Sequence, residues 1–340
     1  MASAYQNGRR TRLRDSGAVG RIPVIDCRHE EAPVAIDTAC REHGFFVVVG
    51  HGVDPDLFAR LDDASRHFFD LPEEEKAMVA MPLAGAAWRG WFPPGGELTS
   101  GVPDGKEGIY FGAELPPDHP AVRAGRPLHG ANLFPTHPPE LRHLVLEALD
   151  QLTDLGHRLC ALLAAGLGLD PRWFRDTVTA EPTVLFRIFH YPAAGRVPGA
   201  HWGVQEHTDY GLLTILRQDD VGGLEVRAPQ GWTAVPPVAD GFVCNIGDML
   251  ERMTGGRYRS TPHRVRTPQR SRLSFPFFFD PSWDAEITPI PGLGDTGAPA
   301  PQRWDGRSVF DHEGTYGEYL TAKVARVFPD LSSYSVENDS

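Results

Sequence analysis

The chain has 340 residues, a formal charge of −12 and a pI near 5.6. It is long enough for one large buried core or two, and too acidic to hold a phosphate backbone or an anionic membrane surface without a local basic patch. Hydrophobic residues at 41%, with 31 prolines and 36 glycines, favour short strands joined by many turns over a helix bundle. Cys27, Cys40, Cys160 and Cys244 are scattered with no Cys-x-x-Cys, which argues against a thiolate metal site and for buried, reduced thiols in a cytoplasmic protein.

Residues 1–20 carry Arg9, Arg10, Arg12 and Arg14 with no apolar run behind them, so they read as a flexible arm and as neither a secretory signal nor a membrane anchor. Of 33 basic residues only Lys76, Lys106 and Lys323 are lysines, a skew that reads as genome composition. Ile22–Asp26 is a short apolar strand, Glu31–His43 has the spacing of an amphipathic helix stopped by Gly44, and Phe45–Val49 is a buried strand. His51, ahead of a turn, reads as a structural hydrogen-bonding residue. Asp54–Phe69 is a helix with Leu57, Leu61, Ala64 and Phe68 on one stripe, and Leu71–Lys76 starts another with proline and acids in its first turn.

Between Ala86 and Glu114 glycine and proline punctuate a run of aromatics that includes Trp91 and Phe111. That texture predicts a loop layered over a pocket, where substrate selectivity would reside. Leu141–Leu167 is a long apolar helix suited to packing against the outside of a sheet. Thr183–Pro192 opens a β-rich half, with Tyr191 and His190 on opposite faces of one strand.

Gln205–Leu213 contains His207 and Asp209, one residue apart; on a strand both side chains point the same way. Leu224–Arg227 and Trp232–Val235 read as a hairpin, and Gly241–Asp248 as a strand whose Asn245 and Asp248 satisfy backbone groups. A third candidate ligand, His263, lies in Ser260-Thr-Pro-His-Arg-Val265, which Pro262 biases towards extended structure. Two imidazoles and a carboxylate on one face suit iron(II) and leave positions open for substrate and O2. The ligand types alone also admit zinc and a bound water. From 263 to 272 is nine residues, and there Arg272 and Ser274 share a face, a donor fork plus a hydroxyl suited to a carboxylate. Pro289–Pro301 is a Gly/Pro-rich loop, and Thr315–Phe328 a closing helix.

His-x-Asp, a distal His and Arg-x-Ser in this order resemble the iron(II)- and 2-oxoglutarate-dependent dioxygenases of the isopenicillin N synthase-like group, over about Ile22 to Leu331. The resemblance implies a mainly β fold with flanking helices, a double-stranded β-helix (jelly roll) core buttressed by helices. Its organisation would be an arm (1–20), a helical and mixed region (21–175) and an oxygenase core with a C-terminal helix (176–335), working as one catalytic unit.

It further implies Fe(II) on His207, Asp209 and His263, with 2-oxoglutarate held by Arg272, Ser274 and Tyr191 and O2 as second cosubstrate. Phe189 stands where the family often has an asparagine that contacts 2-oxoglutarate. Trp91, Phe111, Trp202, Phe277 and Phe279 are the candidate substrate pocket. The expected activity is oxidation of a small-molecule C–H bond, most simply hydroxylation, in specialised metabolism such as antibiotic biosynthesis, with no nucleic-acid, membrane or obligate protein partner. The alternatives are an oxidase of the same fold that does not use 2-oxoglutarate, a metal-dependent hydrolase and a small-molecule binding protein.

Overall fold

The structure, a computed structural model, describes residues 21–99, 101–196, 202–293, 303, 305–306 and 308–327. The arm expected at 1–20, much of the loop expected at Pro289–Pro301 and the last residues of the expected core lie outside the described residues.

Fourteen strands are present among the described residues. They are β1 (Val24–Asp26), β2 (Phe45–Val49), β3 (Gly90–Phe92), β4 (Leu98–Thr99), β5 (Val102–Pro103), β6 (Glu107–Gly112), β7 (Pro182–Tyr191), β8 (Trp202–His207), β9 (Leu213–Gln218), β10 (Leu224–Ala228), β11 (Gly231–Ala234), β12 (Phe242–Ile246), β13 (His263–Arg266) and β14 (Arg272–Ser282). Eight form one large sheet in the order β1-β2-β12-β9-β14-β7-β6-β3, and four form a small sheet, β11-β10-β13-β8. The two sheets are the walls of a jelly roll, and the side chains that alternate inward from each share its interior.

The helices are α1 (Ala32–Glu42), α2 (Pro55–Phe69), α3 (Glu73–Lys76), α4 (Pro120–Arg123), α5 (Leu141–Gly166), α6 (Trp173–Thr177), α7 (Asp248–Met253) and α8 (Tyr316–Val327). In α5 Leu144, Leu152, Leu155, Leu159 and Leu163 are fully or almost fully buried against α1, α2 and the outer face of the large sheet. At about 1.5–3 kcal/mol per buried leucine, this stripe fixes the helix on the sheet far more firmly than intrinsic propensity does. Gly156 marks the closest approach: a Cβ there would lie 2.3 Å from the Phe279 ring.

The stretch from Ala86 to Glu114, expected as a loop, departs from that expectation. It contains β3, a two-stranded β4–β5 hairpin and β6, and β6 pairs antiparallel with β7 along six residues. Its glycines made it look like a loop, yet Gly108 and Gly112 lie where the Phe189 and Arg89 side chains press on the strand. With β1 and β2 added, the large sheet takes four strands from residues before 176, and no break in the sheet falls at that position.

Candidate metal and cosubstrate site

His207 ends β8, His263 begins β13, and the two are register partners across the small sheet. Their ring centroids are 4.2 Å apart. Asp209 follows β8, with Oδ1 3.8 Å from His207 Nε2 and 3.7 Å from His263 Nε2, and one ligand atom from each of the three lies within 4.8 Å of the others.

Each side chain is held with its reactive atom turned to this centre. His207 Nδ1 is 2.7 Å from the Gln205 carbonyl and His263 Nδ1 is 3.2 Å from that of Thr261. Carbonyls only accept, so both Nδ1 atoms carry the proton and both Nε2 atoms present a lone pair. Asp209 Oδ2 accepts from Thr214 Oγ1 at 2.5 Å and Asn245 Nδ2 at 2.7 Å, which leaves Oδ1 for the histidines. Burial works against the charge on Asp209, but the neighbouring imidazoles and these two hydrogen bonds hold it below the ordinary carboxylate range. Burial next to His207 pushes His263 down to about 4, so it is neutral at physiological pH. Cis ligands at about 2.0–2.2 Å from one ion stand roughly 3 Å apart, so the Asp209–His207 and Asp209–His263 pairs need to close by under about 1 Å for this donor set to share a single metal ion.

Thr214 and Asn245 are themselves register partners on β9 and β12 and face the interior. The strand predicted at Gly241–Asp248 is therefore present, but Asn245 orients the carboxylate instead of serving the backbone. Asp248 also differs from expectation. Its backbone N–H donates to the Asp209 carbonyl, while its carboxylate accepts from Arg303 Nη2 and Tyr319 Oη and lies 3.6 Å from Lys323 Nζ. Arg303 also donates to Thr208 Oγ1 between the two candidate ligands. The C-terminal segment thus clasps the loop that carries Asp209.

Arg272 and Tyr191 are register partners on β14 and β7. The guanidinium lies over the Tyr191 ring at 4.6 Å, and Ser274 Oγ is 3.5 Å from Tyr191 Oη. Arg272 is 1% exposed, yet its Nε and Nη1 have no hydrogen-bond partner. A buried cation with unspent donors is costly unless an anion completes it, which is the fit expected of a site for a ligand carboxylate. Gly203 lets the Tyr191 ring approach β8 closely, since a Cβ there would be 2.8 Å from it.

The five aromatic pocket candidates are not gathered around this centre. Phe277 and Phe279 alternate with Phe278 and point outward, Phe277 to Phe186 and Phe279 to His157 and Gly156 of α5. Trp91 donates to Glu107 Oε2 beside Lys76, and Phe111 stacks on Phe134, both on the face of their strands opposite Tyr110 and Phe92. Trp202 packs on the Arg264 guanidinium, which alternates with His263 and so faces away from it. Bulk and proximity in sequence suggested these residues; the period-two alternation of each strand excludes them.

The interior face instead carries Arg187, Phe189 and Tyr191 of β7, Tyr110 of β6 and Phe278 of β14. The Arg187 guanidinium lies over the Tyr110 ring at 4.1 Å and the Phe278 ring at 4.7 Å, and reaches Glu97 only at 3.5 Å. Beside it Lys106 pairs with Asp104 at 2.5 Å and Glu97 at 2.7 Å and sits 4.7 Å above the Phe189 ring. Burial alone would strip Lys106 of its proton, yet the two carboxylates hold its pKa above the usual lysine range. This buried cluster went unread in the sequence. Its one signal was the scarcity of lysines, since two of the three are buried in ion pairs.

His51 has the structural role expected: its Nε2 is 2.6 Å from the Asp240 carbonyl and its Nδ1 accepts from the Val53 N–H. His190 faces outward and bonds Glu107 and Ser271.

Comparison with known proteins agrees with this geometry. Residues 182–281 match the 2OG-Fe(II) oxygenase superfamily, and residues 22–137 match the "non-haem dioxygenase in morphine synthesis N-terminal" family. The chain is 46% identical over 323 residues to a probable iron/ascorbate oxidoreductase of Dictyostelium discoideum, covering 88% of this chain and 89% of that one. It is 38% identical over 304 residues to a homoarginine-6-hydroxylase of Glycine max, covering 87% and 89%. A full-length Neurospora crassa protein, crystallised in complex with alpha-KG, superposes with a TM-score of 0.73 at 29% identity, covering 91% of this chain and 97% of that one.

Proposed function

The chain belongs to the 2OG-Fe(II) oxygenase superfamily, and from that premise we propose which residues do its chemistry: His207, Asp209 and His263 hold the iron(II), and Arg272, Ser274 and Tyr191 receive the far carboxylate of 2-oxoglutarate. The protein is an iron(II)- and 2-oxoglutarate-dependent oxidoreductase acting on a small molecule, and hydroxylation is the outcome we assign to it. The observation that carries the residue assignment is the pairing of three convergent ligand atoms with a buried guanidinium that lacks partners.

When bound, the iron(II) supplies the centre at which O2 reduction is coupled to decarboxylation of 2-oxoglutarate and to oxidation of a substrate C–H bond. The chain's own residues prepare that centre. Gln205 and Thr261 fix the imidazole tautomers, Thr214 and Asn245 fix the carboxylate, and the Phe45 ring packs against His263 in a T-shaped contact with the ring centroids 5.3 Å apart. Tyr110, Phe189 and Phe278 make a water-poor wall on the interior face. Arg187, set between two rings with buried Nε unspent, is the group we assign to orient a polar end of the substrate.

Anaerobic addition of iron(II) and 2-oxoglutarate is expected to produce a metal-to-ligand charge-transfer band, and turnover to release succinate. His207→Ala and Asp209→Ala are expected to lose stoichiometric iron binding while keeping the fold by circular dichroism. A zinc hydrolase would give neither the band nor succinate, and an oxidase independent of 2-oxoglutarate would turn over without it. Full iron occupancy in both variants would reject the ligand assignment.

A further inference from the structure

We infer that Gln218 is a further contact to the far carboxylate of 2-oxoglutarate, an inference that rests on the cosubstrate site proposed above. Gln218 ends β9 and is 8% exposed, and neither Oε1 nor Nε2 has a hydrogen-bond partner. A buried primary amide with both ends unsatisfied is disfavoured unless something absent from the described residues completes it.

Its position says what that is. Along β9, Thr214, Leu216 and Gln218 share a face, and Thr214 uses that face to bond Asp209. Gln218 therefore points into the same interior as the candidate metal ligands. Its register partner on β14 is Ser274, so the two Cβ atoms stand about 4.5–5.5 Å apart. Arg272, two residues along, is the diagonal neighbour. The register is pinned at this point by Asp219, whose carboxylate accepts from the Leu273 N–H at 2.7 Å.

Four buried polar atoms without partners thus share one patch: Arg272 Nε and Nη1, and Gln218 Oε1 and Nε2. A carboxylate offers only acceptors, and it matches the guanidinium N–H groups and the amide Nε2 together. The Oε1 atom is left for the guanidinium side, where only donors stand.

The test compares two 2-oxo acids by their anaerobic charge-transfer bands in the iron(II)-loaded protein: 2-oxoglutarate, and 2-oxobutyrate, which lacks the far carboxylate. Gln218→Leu is expected to weaken 2-oxoglutarate about 10-fold and to leave the Kd values for 2-oxobutyrate and iron(II) within about 2-fold of wild type. Gln218→Glu, which sets one carboxylate against another, is expected to weaken 2-oxoglutarate further. Should the leucine variant fail to fold, Gln218→Met, which keeps an unbranched side chain, carries the same comparison. An unchanged 2-oxoglutarate Kd, or an equal loss for both acids, would overturn the inference and leave the cosubstrate site standing. Wild-type protein that forms no complex with 2-oxoglutarate would overturn both.

Discussion

Asn245 shows how much of a candidate metal site lies in residues other than the candidate ligands. Asp209 has two oxygens and one must face the histidines; the hydrogen bonds from Asn245 and Thr214 to Oδ2 decide which. Partners of this kind typically contribute 10- to 100-fold to metal affinity. We therefore expect Asn245→Leu to raise the iron(II) Kd by about that factor with the cooperativity of unfolding retained, and Thr214→Val to act in the same direction. Equilibrium iron binding measured anaerobically checks this, and an unchanged Kd in Asn245→Leu would mean that Asp209 is set by the backbone alone.

At the scale of the element, alternation along β14 serves two purposes with consecutive residues. Arg272, Ser274 and Phe278 face the interior, whereas Phe275, Phe277 and Phe279 face the helical layer. The strand therefore anchors the candidate site and the α5 helix at once. Gly156 of α5 exists for this contact. In an ordinary helix interior Gly→Ala is stabilising by about 1 kcal/mol, but here the added methyl would meet the Phe279 ring at 2.3 Å. Overpacking of this kind costs roughly 1–3 kcal/mol, so we expect Gly156→Ala to lower the unfolding midpoint in urea. A raised midpoint would mean that α5 is free to shift outward.

Across the whole molecule the C-terminal helix is tied back to the core through buried acids. Asp280 of β14 accepts from the Leu212 N–H and from Tyr316 Oη of α8, and its burial pushes its pKa up to about 7. Because the folded state holds this proton more tightly than the unfolded chain, with its ordinary value of 3.8, stability is highest below about pH 4 as far as this group is concerned. It falls as pH rises towards 7 and stays lower above that. The full effect is at most roughly 4 kcal/mol. Asp280→Asn removes the titration, and urea unfolding at about pH 5 and pH 8 is expected to show a smaller loss of stability between the two than in wild type. An identical loss would place the pH dependence elsewhere. No described helix is long and apolar enough to cross a membrane.

The spacing His207-x-Asp209, the distal His263 and the Arg272-x-Ser274 pair were legible because the period-two geometry of a strand is a local property: it fixes which neighbours share a face whatever the rest of the chain does. The long α5 stripe and the β10–β11 hairpin were legible for the same reason. What local periodicity leaves open is which face is inward. That is settled by which strand lies alongside, and for this reason Trp91, Phe111, Trp202, Phe277 and Phe279 read as pocket residues in sequence and stand elsewhere in the fold. Gln218 and the Lys106 cluster were invisible, and Asn245 was read as serving the backbone, for a related reason: their roles depend on partners distant in the chain, such as Ser274, Asp209 and the β7 residues, brought beside them only by sheet pairing. The sequence by itself determined the candidate ligand set, the strand periods and the family, since each is carried by residues close in the chain or by their order. The tertiary structure alone decided the inward faces, the orientation of Asp209 and the unsatisfied patch around Arg272, because burial and hydrogen-bond satisfaction are properties of the packed interior.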